Sequence, residues 1–210
     1  MQNPNLPHPE TKQKGYTIIE LGIALAIIAV LIVAGLTGVT TVLNSSKANA
    51  QIEDSGIVLA KLQSILTSTN TSGMTTAGAI GSSLFPASRV NAANTAVTNK
   101  FGGSEFVASN AADLTVGGTT VGANTGALYV ITSVPKAACA DIANSLGSLA
   151  NAAWVFSPTT AITTDALAGA NTNLTTGNLV KSPGNTVNGA AVGTQCNTGT
   201  APTLAFLMRP

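Results

Sequence analysis

Polar and apolar positions divide the chain into stretches of different period. A polar start, MQNPNLPHPETKQKG, gives way at Tyr16 to an apolar run, and from Leu21 to Leu43 the sequence LGIALAIIAVLIVAGLTGVTTVL has neither charge nor proline. As a helix these about 23 residues reach ~35 Å, enough to cross a hydrocarbon core of ~30 Å. Beyond Asn44 the period changes: Ile52, Leu59, Leu62 and Leu66 recur at helical spacing, Val58 and Ile65 widen the stripe, and Lys47, Glu53, Asp54 and Lys61 fall mostly elsewhere. The pattern predicts one long helix from Thr17 to Leu66, apolar all round in its first half and amphipathic in its second. Two helices broken near Asn44-Ser45-Ser46 are the alternative. Gly22, Ala24, Ala26, Ala29, Ala34, Gly35 and Gly38 suit close packing among helices, while Gly35, Thr37, Gly38, Thr40 and Thr41 cluster weak helix formers where the helix could extend or melt.

From Ser68 to Asn124 the pattern weakens. Large apolar residues such as Leu84, Phe85, Phe101, Phe106 and Leu114 are scattered through Thr, Ser, Asn, Gly and Ala, which predicts loops, short turns and one helix or weak strands packed against the amphipathic helix. Ala127–Val134, bounded by Gly126 and Pro135, reads as a central strand. Cys139–Leu149 suits a short helix with Ile142, Leu146 and Leu149 on one side; Trp154–Phe156 and Pro202–Met208 read as further strands.

Composition narrows the function classes. Charged residues make up 8% of the chain against 45% hydrophobic, and nine Lys+Arg against eight Asp+Glu leave a net charge of +1. Such a surface is polar but nearly uncharged and offers no footprint for a phosphate backbone, so direct nucleic-acid binding is not expected. Lys12 and Lys14 precede the apolar run and the next charge after it is Lys47; this small bias places the N-terminus in the cytoplasm and the rest outside. Ala48-Asn49-Ala50 would suit a signal-peptide cut, but the run exceeds an ordinary signal core and is read as retained.

Catalytic chemistry is not legible. The one histidine, His8, lies in the polar start, Glu53 and Asp54 read as a solvated helix face, and Gly117-Gly118 and Gly122 lack the lysine of a phosphate loop and read as turns. The sequons at Asn44, Asn70 and Asn173 arise readily in a chain of this composition and are assigned no role. No cofactor or metal is implied. Cys139 and Cys196, 57 positions apart, suit a disulfide in an oxidising compartment or else two separate buried thiols.

Glu20 stands out as a carboxylate at the entrance to a membrane-length segment, a placement that by default asks for a function and a partner. Lys14 and the run Gly15-Tyr16-Thr17-Ile18-Ile19-Glu20, followed by the uncharged helix, resemble the N-terminus of a type IV prepilin. The resemblance implies that a prepilin peptidase cuts between Gly15 and Tyr16 on the cytoplasmic side, and that the new amine of Tyr16 is methylated. It further implies that Glu20, the fifth mature residue, is neutralised by the amine of a neighbouring subunit during assembly. Tyr at the first mature position departs from the commoner Phe or Met but remains large and partly apolar. The leader of 15 residues and the mature chain of about 195 resemble the IVb subclass. Export also favours the Cys139–Cys196 disulfide, which in this family bounds a surface region.

The implied fold is α+β: a long N-terminal helix packed on a small antiparallel-sheet head with a C-terminal disulfide-bounded region. The implied divisions are a leader at 1–15, a helix at 16–66 whose residues 16–43 form the membrane or filament core, and a head at 67–210 containing the 139–196 region. The expected function is structural, that of a pilus subunit anchored in the bacterial inner membrane before assembly and extracellular afterwards, serving adhesion, aggregation, motility or DNA uptake. Its expected partners are identical subunits, the prepilin peptidase and the inner-membrane assembly machinery. A minor pilin or a type II secretion pseudopilin is the nearest alternative, and a membrane-anchored periplasmic binding domain is one of a different class.

Overall fold

The computed structural model describes residues 15–68, 71–110, 113–158, 174 and 176–209. Residues 1–14, most of the expected leader and with them His8, and residues 159–173 of the segment between Cys139 and Cys196 lie outside the described residues. The chain forms two compact units, the first running to Thr40 and the second beginning at Thr41.

Helix α1, Ile18–Ser68, spans 51 residues and belongs to both units. It continues through Gly35, Gly38 and Asn44-Ser45-Ser46, so the alternative of two helices does not occur. In the second unit its buried face comprises Ala48, Gln51, Ser55, Val58, Leu59, Leu62 and Leu66. The predicted apolar stripe is present, but it begins with two polar residues one turn apart.

The head is built on a six-stranded sheet in the order β1-β2-β5-β8-β6-β7 with every pairing antiparallel. The strands are β1 (Val97–Thr98), β2 (Ser104–Ser109), β5 (Ala127–Ile131), β6 (Ala152–Phe156), β7 (Leu179–Lys181) and β8 (Thr203–Met208). A separate hairpin joins β3 (Leu114–Val116) to β4 (Thr119–Val121). Its turn, Gly117-Gly118, has φ of 57° and 84°, the left-handed pair that a two-residue hairpin requires and glycine adopts freely.

The central strands are apolar without interruption because both faces of the sheet are covered. Val107, Tyr129, Ile131, Val155, Leu204 and Phe206 face a core shared with α1 and with α3 (Lys136–Leu149). Phe106, Leu128, Val130, Trp154 and Leu207 face a second core closed by Val116 and Val121 of the hairpin and by Leu174. Register pairs Tyr129 with Phe206 and Trp154 with Ala205.

The strands predicted at Ala127–Val134, Trp154–Phe156 and Pro202–Met208 occur with edges moved by a few residues, and the predicted helix at Cys139–Leu149 starts earlier, at Lys136. Between Ser68 and Asn124 the one helix expected is α2 (Thr76–Gly81), and the weak pattern conceals the long strand β2. A fourth helix, α4 (Gly189–Asn197), is capped by Asn188, whose Oδ1 accepts from the N–H groups of Ala190 and Ala191 at 3.1 Å. The disulfide joins Cys139 of α3 to Cys196 of α4, with Cα atoms 5.7 Å apart.

Candidate functional site

At the start of the described chain Gly15, Tyr16 and Thr17 lie outside the helix, and α1 begins at Ile18. Thr17 Oγ1 accepts from the backbone N–H of Glu20 at 3.2 Å, and the Thr17 carbonyl accepts from Leu21 N–H at 3.1 Å. Thr17 is therefore the N-cap and Glu20 the third helical residue, where the positive end of the helix dipole favours a carboxylate. Tyr16 is 84% exposed, so the peptide bond after Gly15 lies in uncovered, non-helical chain.

Large apolar side chains up to Leu43 remain exposed, from 91% at Ile18 to 50% at Ile28. Exposed apolar surface on this scale requires lipid or other protein around it. By length and composition this is a helix able to cross a membrane.

In the second unit a buried polar cluster ties α1 to the sheet. Gln51 Nε2 donates to Ser55 Oγ at 2.7 Å and to Glu105 Oε1 at 2.8 Å. Tyr129 OH donates to Glu105 Oε2 at 2.7 Å, which leaves the Ser55 hydroxyl, 2.8 Å away, to donate to the tyrosine oxygen. Arg89 forms an ion pair with Glu105 and a longer one, 3.4 Å, with Asp54, which also meets Lys100 Nζ at 2.8 Å. Gln51 Oε1 accepts from Lys100 N–H at 3.0 Å and from Arg89 Nη2 at 3.3 Å. Two cations thus face two carboxylates, and no buried side-chain polar atom among the described residues lacks a partner. Burial pushes the Tyr129 phenol well above its ordinary pKa of 10.0, an effect that its hydrogen bond with Ser55 partly offsets.

This cluster corrects one expectation. Glu53 is exposed, but Asp54 is a half-buried member of the ion-pair network and not part of a solvated face. Gln51, Ser55, Arg89, Glu105 and Tyr129 were not singled out from the sequence. The available signal was the phase of Gln51 and Ser55, which share a helix face with Leu59, Leu62 and Leu66. Among the described residues no group of three or more His, Cys, Asp or Glu is arranged to hold a metal ion.

Residues 11–36, which include Gly15, Tyr16, Glu20 and the larger part of the apolar run, match a family model. It is the prokaryotic N-terminal methylation motif. The motif covers the start of α1 and leaves the head unmatched. No curated protein is significantly similar to the chain in sequence. Among solved structures, a type IVb pilin from Salmonella typhi is 17% identical, with 77% of this chain and 99% of that one covered and a TM-score of 0.48. TcpA, a type IV pilin from Vibrio cholerae El Tor biotype, is 21% identical over 78% of this chain and 98% of its own, with a TM-score of 0.47. Beyond the methylation motif, the chain has a long N-terminal helix, an antiparallel sheet and a disulfide between α3 and α4.

Proposed function

We infer that the chain is a type IV pilin of the IVb kind, a structural subunit that polymerises through its N-terminal helix into an extracellular filament. The observation that carries this reading is the methylation motif set on a capped helix start: Tyr16 outside the helix, Glu20 in its first turn, and a membrane-length apolar sheath behind them. The prepilin peptidase removes residues 1–15 on the cytoplasmic side and the amine of Tyr16 is methylated. The subunit then waits in the inner membrane with its head outside. Assembly transfers the apolar helix from lipid into a bundle of identical helices. There Glu20 meets the Tyr16 amine of a neighbour, and the pairing offsets the cost of a carboxylate in an apolar surround. The contact is head-to-tail and does not close, which produces a filament.

Replacing Glu20 by Ala tests the mechanism. The variant inserts and is cleaved like the parent, while filaments sheared from the cell surface are lost or sharply reduced. Normal filament yield from Glu20→Ala would rule out the pairing.

A further inference from the structure

We propose that the end of the head carrying Lys47, the turn at 99–103 and Lys136 is a lipid-docking surface, which rests on phospholipid phosphates while the subunit waits in the inner membrane. The inference rests on the membrane stage proposed above. Contacts inside the second unit set the level of this end along α1. Gln51 meets Glu105, and Ser55, one turn later, meets Tyr129, whose register partner on β2 is Val107. Helix and strand therefore advance in the same direction, about 6 Å for four helical residues and about 6.6 Å for two strand residues. Following the strand back two residues from Glu105 brings Gly103 level with Lys47. β5 and β8 deliver 132–136 and 198–202 to the same end, because Ile131 pairs with both Glu105 and Leu204. α3 leads away from it, since Ala152, just beyond that helix, pairs with Leu207 near the far end of β8.

Lys47 marks where the head stops. It lies four residues before Gln51 on the same side of α1 and is exposed, whereas its neighbour Ala48 is buried. Leu43, the last residue of the apolar run, belongs to the same unit. However the helix is tilted, Leu43 and Lys47 lie no more than about 6 Å apart along it. A headgroup layer is roughly 5–8 Å deep, so with Leu43 at the hydrocarbon edge Lys47 stands among the phosphates. The chemistry of this end suits an anionic surface. The stretches 99–103, 132–136 and 198–202 hold two lysines and no carboxylate, and the acids of α1 begin at Glu53, about 9 Å beyond Lys47. Lys47 has no ion pair with a described residue. Lys136 Nζ donates to the Asn197 carbonyl and Lys100 Nζ pairs with Asp54, both at 2.8 Å. An ammonium has three donors, so each keeps donors for phosphate. Cations at this depth are attracted to anionic lipid, and the attraction fades within a Debye length.

The test uses the full chain with its disulfide intact, one copy to a lipid nanodisc, with and without anionic phosphatidylglycerol. Fluorophores are placed at two exposed positions of α3, Ala137→Cys beside the proposed surface and Ser148→Cys about 16 Å further along the helix. Nitroxides on the lipid headgroups quench them according to distance. With phosphatidylglycerol present, the Ala137 label is expected to be quenched strongly and the Ser148 label weakly. Lys47→Gln/Lys136→Gln should cut the quenching at Ala137 about twofold or more, as should omitting phosphatidylglycerol, while the unfolding curve stays where it is. Equal quenching at the two positions overturns the docking. So does quenching at Ala137 that ignores both the lysines and the lipid charge, because the helix alone would then hold the head near the bilayer. A third label, Ala26→Cys on the apolar helix, is read with nitroxides at acyl-chain depth. Its failure to be quenched would overturn the membrane stage itself and the docking with it, an outcome distinct from the other two.

Discussion

Glu105→Gln isolates the electrostatic worth of the cluster. The parent carboxylate is fully buried and paired with Arg89, whose side chain is 4% exposed. The substitution preserves shape and removes the charge. Arg89 is then left with Asp54, at 3.4 Å, whose oxygen already serves Lys100 at 2.8 Å. Breaking a buried pair by removing one partner costs about 3–5 kcal/mol, and the residual Asp54 contact puts this site at the lower end, about 3 kcal/mol. For a chain of this size that lowers the melting temperature by roughly 6–12 °C. Arg89→Met, which strands the carboxylate instead, should cost somewhat more. The double variant, in which neither charge remains, should cost at least about 2 kcal/mol less than the sum of the single changes. Urea unfolding in micelles can be followed through Trp154, the chain's single tryptophan, which is 1% exposed. If both single variants stay within about 0.5 kcal/mol of the parent and the coupling vanishes, the cluster is not a desolvated ion pair and the reasoning fails.

Two further outcomes follow from the head. Replacing Cys139 and Cys196 by Ala opens a loop of 57 residues and should destabilise the chain by about 4 kcal/mol on the chain-entropy model, measured by the same unfolding curves without reductant. Tyr129 binds its proton more tightly in the folded state than in the unfolded one, so its contribution is fully present below pH 10 and is lost as the pH rises beyond it. Tyr129→Phe should therefore flatten the fall in melting temperature between about pH 10 and pH 12; an unchanged slope would show that other groups cause it.

The parts of the fold visible in the sequence were those with strong, uninterrupted patterns. The apolar run, the stripe through Leu59, Leu62 and Leu66, and the three apolar strands needed no tertiary information. β2 escaped because Ser104-Glu105-Phe106-Val107-Ala108-Ser109 carries a charge where a buried strand should be apolar. That charge is tolerated through Arg89, Gln51 and Tyr129, which are distant in sequence and are brought together by folding. Asp54 was misread for the same reason: its cations come from a short 3-10 helix and a turn more than thirty residues away. α4 was hidden by a sequence of small residues, Gly189-Ala-Ala-Val-Gly-Thr, with weak helix propensity. It is held by the Asn188 cap and by the disulfide, neither of which leaves a periodic trace. At the N-terminus the opposite holds, since the spacing from Gly15 to Glu20 is local and can be read directly.

The most direct test of the account is the intact mass and N-terminal sequence of the protein recovered from the cell surface. A chain beginning at N-methyl-Tyr16, lacking residues 1–15 and retaining the apolar helix, is the predicted result. A chain that begins at Met1, or after Ala50 with the helix removed, would contradict it.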